Sequence, residues 1–162
     1  MKAPFTATRR HCTMDSQDIN LPEGYKLQPG YPPTSQYIDL RAVAGLTPKT
    51  PSQAAAVPTG SWYGCYITFE ATKGDPQPIG MGRIIGDGGW YFHIADMAVH
   101  PDHQRKGLGD VILKALLQHI HREAPADGKP YITLFADEPG RRLYYKNGFV
   151  DAAPGQLGMA LK

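Results

Sequence analysis

Three kinds of side chain and one turn in this 162-residue chain have the types and spacing to do chemistry. Gln104-Arg105-Lys106-Gly107-Leu108-Gly109 is a basic turn with two glycines. It follows an apolar run, Ile94 to Val99, and opens a helical one, Leu108 to Ile120. The first N–H groups of a helix lack intrahelical partners and carry partial positive charge, so they accept anions. Gly107 and Gly109 remove side chains that would hold a ligand off the backbone, and Arg105 and Lys106 add full charges. This pattern predicts a phosphate cradle. His93 has an ordinary pKa of about 6.5, which suits a base at neutral pH. Asp96 is a second candidate proton acceptor. Tyr144 and Tyr145 are phenols that could give up a proton. A helical step of about 100° lets only one of them face a given point.

These groups need rigid elements behind them. Leu108, Val111, Ile112, Ala115, Leu116 and Ile120 fall at i, i+3, i+4, i+7, i+8 and i+12, the spacing of a helix with one face in a core. Pro139-Gly140 opens a short helix through Lys146, and Asn147-Gly148 closes it. Ser61–Ala71, Ile79–Ile85 and Trp90–Val99 read as strands of an antiparallel meander, with Gly86-Asp87-Gly88-Gly89 as a tight turn. In strict alternation His93 and Asp96 point to opposite faces of their strand, and a bulge there would change that. Tyr25–Leu27 makes a first strand, and Thr34 or Ser35 caps a helix carrying Tyr37, Ile38 and Leu40. Thr50-Pro51 starts a second short helix. Tyr131–Phe135 reads as a strand buried on both faces. Phe149–Val150 and Leu157–Leu161 add closing strands. Residues 1–22 are polar and unpatterned, so a flexible extension is expected there, with one domain over 23–162.

Composition excludes several classes. The net charge of +2 is too small to argue for nucleic acid or a membrane surface. No apolar run approaches the roughly 20 residues of a membrane span, and the basic start has no apolar core of a secretory signal. Cys12 and Cys65 have no metal-ligand spacing and read as reduced thiols of a cytoplasmic protein. His100-x-x-His103 does not lie on a helix, so no metal is expected. His100, His103, His119 and His121 are placed on the solvent side. Trp62, Tyr63, Trp90, Tyr91 and Phe92 are assigned to sheet packing.

Two distant stretches gain meaning together. Val99-x-Pro101-x-x-Gln104-Arg105-Lys106-Gly107-Leu108-Gly109 and Asp137-Glu138-Pro139-Gly140-Arg141-Arg142-Leu143-Tyr144-Tyr145-Lys146-Asn147-Gly148-Phe149 resemble the GNAT superfamily of N-acetyltransferases, in order and in separation. The likeness covers Tyr25 to Leu161. It implies an α/β (α+β) GNAT fold, with a mixed, mostly antiparallel sheet of six or seven strands and about four flanking helices. It implies acetyl-CoA as co-substrate and no metal. The pantetheine arm would pair with the backbone of Met97, Ala98 and Val99, lying between two splayed strands. Pyrophosphate would sit against Gln104, Arg105, Lys106, Gly107, Leu108, Gly109 and Asp110. Asp137 occupies a position where the family commonly has Asn, and its carboxylate accepts but cannot donate.

The reaction implied is acyl transfer by direct attack of an amine on the thioester. The N–H near Met97 would hold the developing oxyanion, and Tyr144, four residues before Gly148, would be the general acid. His93, Asp96 or water would take the amine proton. Arg83 could line an acceptor pocket or pair with Asp87 or Asp96. A small-molecule amine is the expected acceptor. A protein lysine or N-terminus, or a catalytically weak CoA-binding regulatory module, are the alternatives, and a homodimer is compatible with the resemblance.

Overall fold

The computed structural model describes residues 21–71 and 74–161. Cys12 and nearly all of the expected N-terminal extension lie outside the described residues. Leu21 already packs against the main core.

Among the described residues, five strands form one sheet in the order β1-β2-β3-β4-β5. They are β1 (Tyr25–Pro29), β2 (Tyr63–Phe69), β3 (Gln77–Gly86), β4 (Tyr91–Val99) and β5 (Tyr131–Leu134). The first four make the expected antiparallel meander, and β5 joins β4 in parallel. The β3–β4 turn is built on Asp87, whose Oδ1 accepts the N–H groups of Gly89 (2.8 Å), Trp90 (3.0 Å) and Tyr91 (3.1 Å). Those N–H bonds, led by that of Gly89, lower the Asp87 pKa.

Helices cover both faces. On one lies α4 (Leu108–Glu123), whose Ile112, Leu113, Leu116 and Ile120 are fully buried. Each such side chain contributes about 2 kcal/mol of hydrophobic stabilisation. They pack on Cys65, Ile67, Ile84, Phe92 and Ile94. Burial pushes the Cys65 thiol up to about 12, so it stays protonated and inert. Gly82 is what lets α4 come this close. A Cβ there would sit 2.5 Å from Met97 Sδ and 2.8 Å from Ile112.

The opposite face carries α1 (Thr34–Val43), α2 (Pro51–Ala55) and the single turn α3 (Val57–Gly60). Tyr37, Leu40 and Ala54 pack there on Met81 and Ala98. Thr50 caps α2 as expected, in a reciprocal capping box with Gln53. The start of α1 differs. Its cap is Pro33, with no side-chain bond, and Thr34 is already inside the helix. Last comes α5 (Arg141–Lys146), entered through a 3-10 turn at Glu138–Gly140.

Three further expectations are corrected. Tyr131–Leu134 is an edge strand with Tyr131 exposed, not a strand buried on both faces. Among the described residues no strand forms at Phe149–Val150 or Leu157–Leu161. Val150, Leu157, Met159 and Leu161 are exposed there, so their apolar pattern finds no partner strand. Sheet packing is also divided. Trp62 meets Phe92 at 4.7 Å between ring centroids, whereas Trp90 and Tyr91 are exposed.

Candidate active site

The centre of the site is an irregularity in β4. Met81 pairs with Ala98 and Arg83 with Ala95, so Asp96 and Met97 together face the single residue Gly82. This is a bulge, and Asp96 takes a left-handed φ of 54° at it. That conformation is uncommon for a non-glycine residue and typical of functional sites. The bulge cancels strict alternation. His93, paired with Ile85, and Asp96 both sense the charge of Arg83.

Asp96 is held from three sides. Its Oδ1 accepts from Arg41 Nη1, and its Oδ2 accepts from Tyr37 Oη and from Arg83 Nε, the last at 2.6 Å. Burial alone would raise this carboxyl, yet the hydrogen bonds from Tyr37 and Arg83 and the two guanidinium charges bring it below its ordinary value. The phenol of Tyr37 is correspondingly pushed up by burial and by the carboxylate beside it. Arg41 is 5% exposed, and its Nη2 donates to the Thr47 carbonyl at 2.8 Å. Arg83 extends the network through Nη1 to Ser61 Oγ at 3.0 Å. Of the alternatives left to Arg83 by the sequence, the structure has it both pair with Asp96 and line a cleft. Tyr37 and Arg41 were not singled out as site residues. They lie 59 and 55 positions from Asp96, and no local signal joins them to it.

His93 makes a different set of bonds. Its Nδ1 lies 3.0 Å from Thr133 Oγ1 on β5. Thr133 Oγ1 can give its own proton to the Phe92 carbonyl at 3.4 Å, and in that arrangement its oxygen accepts from Nδ1–H. This pattern leaves the lone pair on Nε2. Burial, and then the Arg83 charge, lower the His93 pKa. The ring is therefore neutral at pH 7.

Beyond Ile94 the sheet opens. Parallel pairing of β4 with β5 runs from Tyr91↔Tyr131 to Ile94↔Leu134 and stops. Met97, Ala98 and Val99 lie past that point, unpaired on the β5 side among the described strands. The chain then turns through Pro101–His103 into the basic turn. Arg105 has φ 60° and Gly107 φ 80°, and Gly107 caps α4. The first intrahelical bond is Val111 N–H to the Gly107 carbonyl. The N–H groups of Leu108, Gly109 and Asp110 precede it and have no intrahelical acceptor. A Cβ on Gly107 would meet nothing within 4 Å, so this corner is open to a ligand.

Side chains of the turn are placed less simply. Gln104 folds back, its Nε2 donating to the Val99 carbonyl at 3.0 Å. Lys106 Nζ donates to Tyr25 Oη at 3.0 Å and lies over that ring. Asp110 turns to α5, where its carboxylate accepts from Lys146 Nζ (3.0 Å) and Asn147 Nδ2 (2.8 Å), and it pairs with Lys114 (2.9 Å). Burial opposes ionisation, but these three donors hold the Asp110 pKa down at about 2. This tie, with Leu143 packed 3.4 Å from where a Gly109 Cβ would be, joins α5 to the start of α4. The two distant sequence stretches are thus one structural unit.

Tyr144 and Tyr145 part as a helical step requires. Tyr144 is 9% exposed and Tyr145 is 50% exposed. Tyr145 Oη donates to Asp151 at 2.7 Å, which raises its pKa. Burial, and then the charge of Asp137, raise that of Tyr144, so its phenol keeps its proton. Asp137 itself precedes the 3-10 turn without a side-chain capping bond. Two histidines depart from the expected solvent-side placing. His119 stacks on Tyr63 at 3.6 Å, and His103 accepts from or donates to Tyr25 Oη at 2.8 Å.

The match to known proteins follows this geometry. Residues 63–151 match the acetyltransferase (GNAT) domain model, and the chain belongs to that family. An uncharacterized N-acetyltransferase ycf52 of Pyropia yezoensis is 37% identical over 81 residues, which cover 50% of this chain and 44% of that protein. The match thus spans less than half the length of this curated relative. A solved structure from methicillin-resistant Staphylococcus aureus, described as a probable acetyltransferase of unknown function, is 32% identical with a TM-score of 0.76. It covers 85% of this chain and 98% of its own. A GNAT family protein of Streptococcus pneumoniae shares the fold at 21% identity, a TM-score of 0.62, and 85% and 95% coverage.

The residues present fit acetyl-CoA. The opened edge of β4 offers backbone groups to an extended amide-bearing arm. The N-terminus of α4 offers unpaired N–H groups to phosphates. No helix among the described residues is long and apolar enough to cross a membrane.

Proposed function

We propose that this chain moves the acetyl group of acetyl-CoA to the primary amine of a small molecule, by direct attack and without a covalent acyl-enzyme. The observation that carries the reading is the opening of β4 from β5 after Ile94, set beside the free N-terminus of α4 and the buried phenol of Tyr144. Acetyl-CoA supplies an activated thioester.

Met97, Ala98 and Val99 bind the pantetheine arm, and the backbone from Gln104 to Asp110 binds the pyrophosphate. Arg105 adds charge to this turn, and Lys106 can exchange its bond to Tyr25 for a phosphate oxygen. The N–H at Met97, fixed by the bulge, receives the oxyanion. Tyr144 protonates the leaving sulfur, and its raised pKa keeps that proton available at neutral pH. His93 Nε2 takes the proton from the amine, directly or through water. Asp96 works as the positioning residue of the bulge, because both of its oxygens are already engaged by cations and a phenol. A cleft of about 220 Å³ between α1, α2 and the bulge suits a small acceptor better than a protein segment.

Two measurements test this. Calorimetry on the pure protein is expected to show stoichiometric acetyl-CoA binding. A panel of small amines, read by free thiol release, is expected to show acceptor-dependent turnover. Absence of binding would overturn the reading, and binding without turnover on any amine would turn it into a regulatory CoA-binding module.

A further inference from the structure

The cleft beside the bulge has a composition of its own. It is lined by Tyr37, Arg41, Lys49, Gln53, Arg83 and Asp96, among others. Three cations thus face one carboxylate. Asp96 compensates Arg41 and Arg83 only in part, since a single negative charge is shared between two guanidinium groups. Lys49 is exposed at the mouth, and no ion-pair partner for it occurs among the described residues.

A second observation points the same way. Arg41 is 95% buried, and its Nη1 and Nη2 are bonded to Asp96 and Thr47. Its Nε is buried with no hydrogen-bond partner among the described residues. A buried, unpartnered guanidinium N–H is costly, and it adds to the uncompensated positive character of the wall that Arg41 gives the cleft. Guanidinium and ammonium groups together favour carboxylate or phosphate. The cleft also touches Asp96, the residue before Met97, so an anion held there places the rest of a small molecule beside the reacting centre.

We infer that the acceptor is an anionic amine, a small primary amine that also bears a carboxylate or phosphate, and that Lys49 and Arg41 bind this oxyanion in the cleft. The inference rests on the proposed acetyl transfer. It narrows the acceptor class against polyamines and neutral arylalkylamines, whose positive or uncharged tails would meet an excess of cations.

Matched pairs of amines test it, with tyrosine against tyramine as the carboxylate arm and glucosamine 6-phosphate against glucosamine as the phosphate arm. In at least one arm the anionic member is expected to have a kcat/KM at least tenfold higher. That ratio should fall toward one in Lys49→Gln and shrink as salt is raised. Lys26→Gln, a change to an exposed lysine paired with Glu70 on β1, should leave the ratio intact. Equal or higher turnover of the neutral members in both arms would overturn the inference while leaving acetyl transfer standing. If no amine is turned over, calorimetric titration with tyrosine and with glucosamine 6-phosphate decides. Binding weakened by Lys49→Gln upholds the anion site, and no binding overturns it. Lys49 is the better probe than Arg41, because removing Arg41 would leave Asp96 short of a buried partner and threaten the fold.

Discussion

The two halves of this site are built on opposite principles. The side proposed for acetyl-CoA, Ile94–Gly109 with Asp137–Phe149, relies on backbone groups freed by an unpaired strand edge and a helix start. The side proposed for the acceptor relies on side chains from α1, β3 and β4 that converge on one carboxylate. A backbone site tolerates variation in side chains and demands glycines and an open edge. A side-chain site demands charge balance, and fails when one member is lost. The difference predicts where the molecule breaks when each half is altered.

The largest effect belongs to Asp96. Asp96→Ala leaves Arg41, Arg83 and the Tyr37 hydroxyl without their shared acceptor, with Arg41 almost fully buried. Loss of one partner from a buried charge cluster costs about 3–5 kcal/mol. Urea unfolding should show that drop. If the halves are separate, the folded fraction still binds acetyl-CoA within a few-fold of wild type. A full loss of cofactor affinity would mean that the bulge also sets the pantetheine edge, and the division between halves would fail.

Next comes Tyr144→Phe, which alters chemistry on the cofactor side without touching its backbone contacts. Loss of a general acid lowers kcat by roughly 100-fold, while the Kd for acetyl-CoA should change by less than about threefold. Tyr145→Phe should leave kcat unchanged, since its hydroxyl is spent on Asp151 at the surface. Equal effects of the two substitutions would remove Tyr144 from its assigned role.

Legibility followed the same division. The α4 stripe, the Asp87 turn, the closing Asn147-Gly148 pair and the split between Tyr144 and Tyr145 were readable because each depends on neighbours within a few positions. The bulge was readable only as an option, and Asp96 with it, because the register shift against Met81 and Arg83 belongs to two strands at once. Of the Tyr37–Arg41–Asp96–Arg83 network, only the Arg83–Asp96 pair was legible, as one of the alternatives open to Arg83; Tyr37 and Arg41 carried no signal joining them to it. Its members sit on separate elements, and a buried arginine looks like a surface one until its helix is docked. The closing strands expected at Phe149–Val150 and Leu157–Leu161 show the opposite error. Apolar residues near the end of the chain were read as strands, but pairing also needs an available edge, and Leu157, Met159 and Leu161 stay exposed.

A smaller effect separates His93 from Asp96 as proton acceptor. Burial and the Arg83 charge lower the His93 pKa, so its neutral form persists to more acidic pH than that of free imidazole. The acid limb of kcat/KM should therefore fall below pH 6.5. His93→Gln should lower the rate about tenfold at neutral pH, with water taking over, and the deficit should shrink as pH rises and more amine is already neutral. A limb that survives unchanged in His93→Gln would point to another titrating group, and would move the acceptor side's chemistry away from β4.

The smallest effect tests the seam of the cofactor half itself. Asp110 joins α4 to α5 through Lys114, Lys146 and Asn147. Its carboxyl titrates at about 2 when folded, against an ordinary 3.8. A folded pKa below the unfolded one gives stability that is complete above about pH 4 and is lost as pH falls toward 2. The Asp110 side chain is 14% exposed but its lysine partners are at least half exposed, so solvent screening limits the tie to about 1 kcal/mol. Asp110→Asn should cost that much at pH 7 and only a small remainder of it at pH 2, in parallel urea titrations. The same substitution should raise the acetyl-CoA Kd by a few-fold at pH 7, because α5 and Tyr144 reach the start of α4 through this seam. A stability loss with unchanged affinity would make the tie purely structural, and would place the organisation of the phosphate turn in Gly107 and Gly109 alone.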